Sequence, residues 1–227
     1  GAGLTVRLEI ADLRQALTPP LGGMPAGGRL DFDAELQAQG RSWLALVSSM
    51  SGSVEAKLSD LRLSPLDLPG FGAALGDLAS IEAFPALVEE TLFKGETGAH
   101  DLELVFEMDG GVMRVAGRDM KLEGGNAVLD LVYDLPRLAA DAAMSVNLDV
   151  PEGAPGFIIA GTSRAGRIDM QTDMLDLQNF AARRILQRSV DDAGAVVPQE
   201  LRDLMELPAP PAGAATAPLP LMRPAAN

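Results

Sequence analysis

The sequence Asp101-Leu-Glu-Leu-Val-Phe-Glu107 begins a run of alternating apolar and polar residues that continues, with short interruptions, to Val150. One side of an extended chain here carries Leu102, Leu104 and Phe106, and the other side carries acidic residues. Alternation with a period of two predicts half-buried β-strands. The glycine-rich turns at 109–111 and 124–126 divide the run into about four strands, at 98–108, 112–122, 126–134 and 138–150.

Shorter patterns predict further strands at 4–10, 30–39, 53–63 and 157–161. Helices are predicted at 42–50, with Ser42 as N-cap, and at 71–93, with a kink or a break near Pro85. A third helix is predicted from about residue 173 to 190, with its inward face formed by Met174, Leu177, Ala181 and Ile185. A helical turn at 11–17 and a loop at 18–28 complete the N-terminal part.

The predicted fold is mainly β with a few helices (α+β). A curved antiparallel meander sheet is expected to form an apolar groove, covered in part by the helices near 42–50, 71–93 and 173–190. We expect residues 1–190 to form this β-groove domain. Residues 191–227 are rich in proline and alanine and predict a disordered tail, with a residual helical turn near 201–207. The candidate groove-lining residues are Leu30, Phe32, Leu36, Leu102, Leu104, Phe106, Leu129, Leu131, Val146 and Leu148.

Composition excludes several classes of protein. The formal net charge is −14, which argues against a nucleic-acid partner because a phosphate backbone requires clustered lysine and arginine. The sequence contains no cysteine, which excludes disulfides, thiol catalysis and thiolate metal sites. No run of apolar residues is long enough to span a bilayer. Because the sequence begins Gly-Ala-Gly rather than with methionine, we expect a piece of a longer protein.

The residues that could carry chemistry have simpler structural interpretations. His100 is the single histidine, so a metal site or a nucleophile–base pair around it is hard to assemble. The acidic rows 31–35 and 169–176 are interpreted as the solvated face of a strand and as residues around a helix N-terminus. Trp43 is interpreted as a packing anchor on its short helix. We therefore predict no enzyme activity, no metal and no cofactor.

The last predicted helix carries three arginines in its C-terminal half, Arg183, Arg184 and Arg188. They are a possible contact for anionic lipid or for a partner protein. Alternatively, the helix covers the sheet and its arginines complement the negative C-terminal end of the helix dipole.

Three segments resemble the C-terminal region of the AsmA-like family of bacterial envelope proteins, of the alphaproteobacterial type. The first is the strand–helix–strand unit from Ala38 to Leu68, with Ser64-Pro-Leu66 where the family has a Gly-Ile pair. The second is the meander itself. The third is Phe157–Asp169 followed by a helix with Phe180 and two arginines, with Gly166 where proline is common.

This resemblance implies a periplasmic protein with an inner-membrane anchor preceding the present residues. The family is related to TamB and to the bridge-like lipid-transfer proteins. The resemblance therefore implies that the apolar β-groove conducts phospholipid between the inner and outer membranes. Acyl chains would be its partners, and an outer-membrane or envelope protein is a possible further one. The alternative is a structural cap or interaction module that docks envelope-assembly partners without conducting lipid. A groove filled by the helices would favour the cap.

Overall fold

A computed structural model describes residues 2–10, 26–164 and 167–193 of the chain. Its strands form one curved, open antiparallel sheet in the order β1-β2-β3-β5-β6-β7-β8-β9-β10, with the short β4 paired to β3. Each strand other than β4 therefore lies beside its neighbour in sequence. The strands are β1 (Ala2–Ile10), β2 (Ala26–Ala38), β3 (Ser51–Leu63), β4 (Thr97–Gly98), β5 (Leu102–Asp109), β6 (Val112–Leu122), β7 (Gly125–Asp134), β8 (Ala139–Leu148), β9 (Phe157–Arg164) and β10 (Arg167–Asp173).

The helices are few and lie in three places. They are α1 (Trp43–Ser48), α2 (Leu68–Asp77), α3 (Phe84–Leu87) and α4 (Leu175–Ala193), with a 3-10 turn at Ile81–Ala83 and a π turn at Val88–Leu92. The Ser42 hydroxyl caps α1 by accepting a hydrogen bond from the Ala45 N–H, as predicted. The prediction of a mainly β fold with a few helices is confirmed.

The alternating pattern determines which face of each strand is buried. In β5, Leu102, Leu104 and Met108 are buried, whereas Glu103 and Glu107 are exposed. The same alternation continues in β3 and β6, so one face of the sheet is apolar and the other is largely polar. This confirms that the alternating residues form half-buried strands, as the sequence of the meander predicted.

The predicted helical stretch at 71–93, with a kink or a break near Pro85, is wrong in its bounds and in the place of the break. The Asp67 carboxylate caps α2 by accepting from the Gly70 N–H at 2.7 Å, so helical structure begins three residues earlier than predicted. The main break falls at Leu78, whose backbone is extended (ψ 121°), and helical structure resumes beyond it. Pro85 lies in the first turn of α3, where proline has no intrahelical hydrogen bond to lose. We call residues 68–92 the helical lid.

The helical lid packs on the apolar face at one end of the sheet. The rings of Phe71 and Phe157 meet edge to face with their centroids 6.0 Å apart. The Thr97 hydroxyl donates to the Leu66 carbonyl at 2.6 Å and accepts from the Leu68 N–H at 2.9 Å. These contacts attach the beginning of the lid both to β9 and to β4.

The predicted single last strand at 157–161 is also wrong. The chain forms a hairpin of β9 and β10, and β10 occupies residues that were predicted to precede or begin the helix. Its sequence, Arg167-Ile-Asp-Met-Gln-Thr-Asp173, carries only two large apolar residues, because β10 is an edge strand with few buried positions. Helix α4 begins at Leu175 and extends to Ala193, and Met174, Leu177 and Ala181 are buried as predicted.

The remaining differences are at the N-terminal side. The predicted loop at 18–28 is wrong at its end, because residues 26–28 already belong to β2. Gly28 has a φ of 133° at a shift in the β2–β3 register, which explains why the glycines do not end the strand. The predicted turn at 11–17, the rest of the loop and the predicted tail beyond residue 193 lie outside the described residues.

The connections between strands gather at two ends of the sheet. Helix α1 and the connections after β5 and β7 lie at one end, which we call the α1 end. The helical lid and the connections after β6 and β8 lie at the other, which we call the lid end. For example, a Cβ on Gly124 would lie 2.8 Å from the backbone nitrogen of Pro69 in the lid.

Candidate functional site

The ten predicted groove residues share the apolar face but differ in their exposure. Five are buried and five are only half-buried. The buried ones are Leu36, Leu102, Leu104, Val146 and Leu148. The half-buried ones are Leu30, Phe32, Phe106, Leu129 and Leu131. The apolar face is therefore divided into a covered part and an open part.

The covered part is the core of the protein. The helical lid and α4 contribute buried residues, including Phe71, Leu75 and Leu177, to the same cluster as Leu102, Leu104, Val146 and Leu148. Leu36 belongs to a smaller cluster with Ala34, Val54 and Met108. These side chains are occupied by packing within the protein, so they are not available to a ligand in this structure.

The open part is a strip of half-buried apolar side chains on four neighbouring strands. Leu129 is the cross-strand partner of Met144, Leu131 is the partner of Ala142, and Tyr133 is the partner of Met113. Together with Phe106 they form what we call the apolar strip: Phe106, Met113, Leu129, Leu131, Tyr133, Ala142 and Met144. Sequence reasoning missed Met113, Tyr133, Ala142 and Met144. The period of two that identified Leu131 and Val146 places Tyr133, Ala142 and Met144 on this face, and pairing with Met108 and Tyr133 places Met113 there.

The sheet is loosened beside the apolar strip. β5 and β6 pair only at 107–109 with 112–114. The next backbone contact between these two parts of the sheet is a bridge between Ala99, which precedes β5, and Leu122 of β6. Between these points the Arg118 guanidinium donates to the Val105 carbonyl at 3.4 Å. Arg118 is also the cross-strand partner of Leu129, so a cation lies next to the strip.

Gly117 explains this irregularity in β6. Its φ is 59°, and its N–H donates to the Asp130 carboxylate on β7 at 2.9 Å instead of to a backbone carbonyl. The register between β6 and β7 shifts at this point, as it does at a β-bulge. Bulges redirect side chains locally, which accounts for an arginine at an otherwise apolar position.

The ionisable groups with displaced pKa values lie away from the apolar strip and are exposed. A hydrogen bond from Lys57 to Glu103, together with the charge of that carboxylate, raises the pKa of Lys57. A hydrogen bond from the Ser80 hydroxyl lowers the pKa of Glu82. Within residues 2–10, 26–164 and 167–193, no three histidine, cysteine or acidic side chains are grouped as metal ligands would be.

Two of the three arginines predicted to contact a membrane or partner already have contacts within the protein. The Arg188 guanidinium donates to the Leu78 carbonyl, which joins α4 to the lid. The Arg184 guanidinium lies 5.6 Å from the centre of the Phe180 ring. Because α4 continues to Ala193, none of the three is in its last turn, so the interpretation as partners of the helix dipole is wrong.

The interpretation of Trp43 as a packing anchor is wrong. Its side chain is 78% exposed, and its neighbour Leu44 is 60% exposed. The anchor of α1 is Val47, which is buried. An amphipathic helix of six residues has room for few inward positions, and those nearest the sheet are in its second turn.

Comparison with known proteins identifies no matching family model, and no curated protein or solved structure is significantly similar to the chain. Among the described residues, no helix is both long enough and apolar enough to cross a bilayer. The functional inference therefore depends on the geometry of the apolar strip and its surroundings.

Proposed function

We propose that this chain is a periplasmic segment of an AsmA-like envelope protein, in which an apolar face of β-sheet shields phospholipid acyl chains on their way between the inner and outer membranes. The apolar strip is the observation that carries this proposal. Its seven residues lie on the same face as the protein core but are half-buried rather than fully buried.

The physical reason is the cost of exposing hydrocarbon to water. Each CH₂ group that leaves water gains about 0.8 kcal/mol, and this gain requires no specific polar contact. The strip spans β5 to β8, which at ordinary strand spacing is about 14 Å across. Leucine, methionine and phenylalanine line it, and methionine in particular adapts to ligands of irregular shape. Low specificity for the acyl chain follows from such a lining.

Polar groups beside the strip are suited to the head group of a phospholipid. Arg118 is exposed and lies in register with Leu129, so its guanidinium has access to a phosphate next to the strip. The opposite face of the sheet carries acidic side chains such as Asp119 and Asp130. A head group is therefore favoured at the side of the strip and disfavoured behind it.

The helical lid supports a second function, that of a cap. It fills the lid end of the apolar face with protein side chains, so an acyl chain on the strip cannot continue in that direction. A groove that is open at one end and closed at the other is suited to the terminal unit of a conduit. The two functions are compatible in one domain.

Lipid binding by the strip is tested with the double variant Leu129→Gln/Leu131→Gln. We expect binding of a phospholipid with a fluorescent acyl chain to fall at least tenfold, because two glutamines require water where hydrocarbon would lie. Phospholipid recovered by mass spectrometry from the purified variant should decrease as well.

The same strand provides the matched control. Val128 and Val132 are also half-buried, but they lie on the opposite face of β7. Val128→Gln/Val132→Gln should keep the affinity of the unchanged chain. Absence of lipid from the unchanged chain, or an equal loss of binding in both double variants, would disprove the proposal.

A further inference from the structure

The α1 end of the sheet carries an unusual group of exposed apolar side chains. Trp43 and Leu44 on α1 and Leu138 after β7 are 78%, 60% and 61% exposed. These are among the most exposed large hydrophobic residues of the described chain. None of them contributes to the core clusters, so packing does not explain their character.

Backbone contacts join the connections at this end into one surface. The Gly111 N–H donates to the Met50 carbonyl at 2.9 Å, and the Gly111 carbonyl accepts from the Leu135 N–H at 3.0 Å. A Cβ on Gly111 would collide with the Val47 carbonyl and would lie 2.9 Å from the Pro136 ring. The end of α1 and the connection after β7 are thus both held against the turn between β5 and β6. The exposed apolar residues are therefore carried on segments that contact one another.

The charge of the α1 end is opposite to that of the whole chain. Its segments 40–50, 109–114, 134–141 and 164–167 contain five arginines and three aspartates. The five arginines are Arg41, Arg114, Arg137, Arg164 and Arg167, and all are exposed. The net charge of the chain is −14, so this excess of positive charge is local.

Two of the three aspartates at this end, Asp134 and Asp141, are held behind arginines, whereas Asp109 is exposed. Arg137 pairs with Asp134 at 2.6 Å, and the arginine side chain is 70% exposed whereas the aspartate is 17% exposed. Arg164 pairs with Asp141 at 3.3 Å with the same order of exposure. In both pairs the more exposed charge is the guanidinium group.

The lid end has the reverse composition. Its segments 59–67, 94–101, 121–125 and 148–156 contain seven acidic and three basic residues. Two exposed apolar side chains, Val150 and Leu175, lie there at 56% and 64% exposure. The sheet is thus electrically polarised along its strands, and only the α1 end is suited to a negatively charged surface.

We infer that the α1 end is a docking surface for an anionic lipid bilayer. Tryptophan and leucine insert at the level of the head groups, while arginines around them contact lipid phosphates. The apolar strip reaches this end through Met113 and Tyr133, next to the turn between β5 and β6 and the connection after β7. The docked sheet therefore stands with the strip opening towards the bilayer and the lid pointing away.

The test uses the complete 227-residue chain and vesicles of phosphatidylcholine with or without phosphatidylglycerol. Because Trp43 is the single tryptophan, its emission should shift to the blue with the anionic vesicles, and the protein should sediment with them. High salt should reverse both effects, since at about 1 M salt the screening length falls to about 3 Å. Equal binding to both kinds of vesicle, or no shift in emission, would overturn the inference.

Two variants locate the surface. Trp43→Ser/Leu44→Ser should reduce sedimentation with anionic vesicles at least tenfold, and Val150→Ser at the lid end should leave it unchanged. All three residues are exposed, so circular dichroism and the melting temperature should not change. A loss in Val150→Ser as large as in the α1 variant would mean that the bilayer is met elsewhere.

The two sets of variants distinguish docking on the bilayer from acyl-chain binding on the strip. The strip variant Leu129→Gln/Leu131→Gln should still sediment with anionic vesicles, because the docking surface does not depend on the proposed acyl-chain site. The α1 variant should in turn still bind a water-soluble short-chain phospholipid on the strip. Loss of both activities in both variants would contradict a separate docking surface.

Discussion

Replacing Phe71 with alanine is expected to lower the free energy of unfolding by about 3–5 kcal/mol, the range for truncating a fully buried aromatic side chain. Phe71 is 0% exposed and meets Phe157 of β9 edge to face, so it connects the helical lid to the sheet directly. The loss combines removed apolar burial with the cavity that remains, because surrounding atoms relax only in part. Urea unfolding followed by circular dichroism measures it.

The control for this experiment is Leu175→Ala in α4. Leu175 is 64% exposed, so its truncation should change the free energy of unfolding by no more than about 0.5 kcal/mol. If Phe71→Ala cost less than about 1 kcal/mol, the lid would not be packed on the sheet as described. The apolar face would then be open over a much greater area, and its use as a continuous groove would be favoured over that of a cap.

Thr97→Val is expected to cost about 2–4 kcal/mol, although valine has nearly the same shape and is more hydrophobic. The Thr97 side chain is fully buried, and its hydroxyl bonds both the Leu66 carbonyl and the Leu68 N–H. Valine would leave these two backbone groups buried without partners, at about 1–3 kcal/mol each. The same urea titration measures the change.

Thr97→Ser separates the hydrogen bonds from packing. Serine keeps the hydroxyl and loses one methyl group, so it should cost only about 1 kcal/mol. A ranking in which threonine is most stable, then serine, then valine identifies the hydroxyl as the anchor of the lid. A valine variant more stable than the serine variant would show that packing, not hydrogen bonding, holds this position.

These two anchors bear on function because they determine how much apolar surface remains open. The lid covers Leu102, Leu148 and their neighbours, while Leu129, Leu131 and Phe106 stay half-exposed beyond it. A variant that releases the lid should therefore bind more hydrocarbon than the unchanged chain, and the fluorescent phospholipid used for the strip would detect this.

The predicted groove was partly recoverable from sequence. Alternation identified Leu129 and Val146 with equal strength, because both occupy inward positions of neighbouring strands. It contained no information on which of them a helix covers. That difference arises from contacts between residues far apart in the chain, such as Phe71 with Phe157, and no local pattern encodes them.

Trp43 is a residue that the local sequence predicted to be buried and that the structure exposes. A large aromatic residue on a short helix with an apolar interior is usually a core residue, and that expectation was wrong here. The helix connects the ends of β2 and β3, and only Val47 in its second turn is buried, so Trp43 remains 78% exposed. Its exposure, combined with the nearby arginines, is what indicates a bilayer surface.

The local sequence pattern is enough to predict that this chain forms a meander of antiparallel strands with one apolar and one polar face, because a period of two and glycine-rich turns are local properties. It also predicts the N-cap of α1 and the inward face of α4, for the same reason. Three features follow instead from tertiary contacts: the lid closes one end of the apolar face, β10 completes the edge of the sheet, and arginines from four separate segments lie together at the α1 end. These three features depend on which distant segments come together. The burial of the whole apolar face determines that choice, and no single stretch of sequence does.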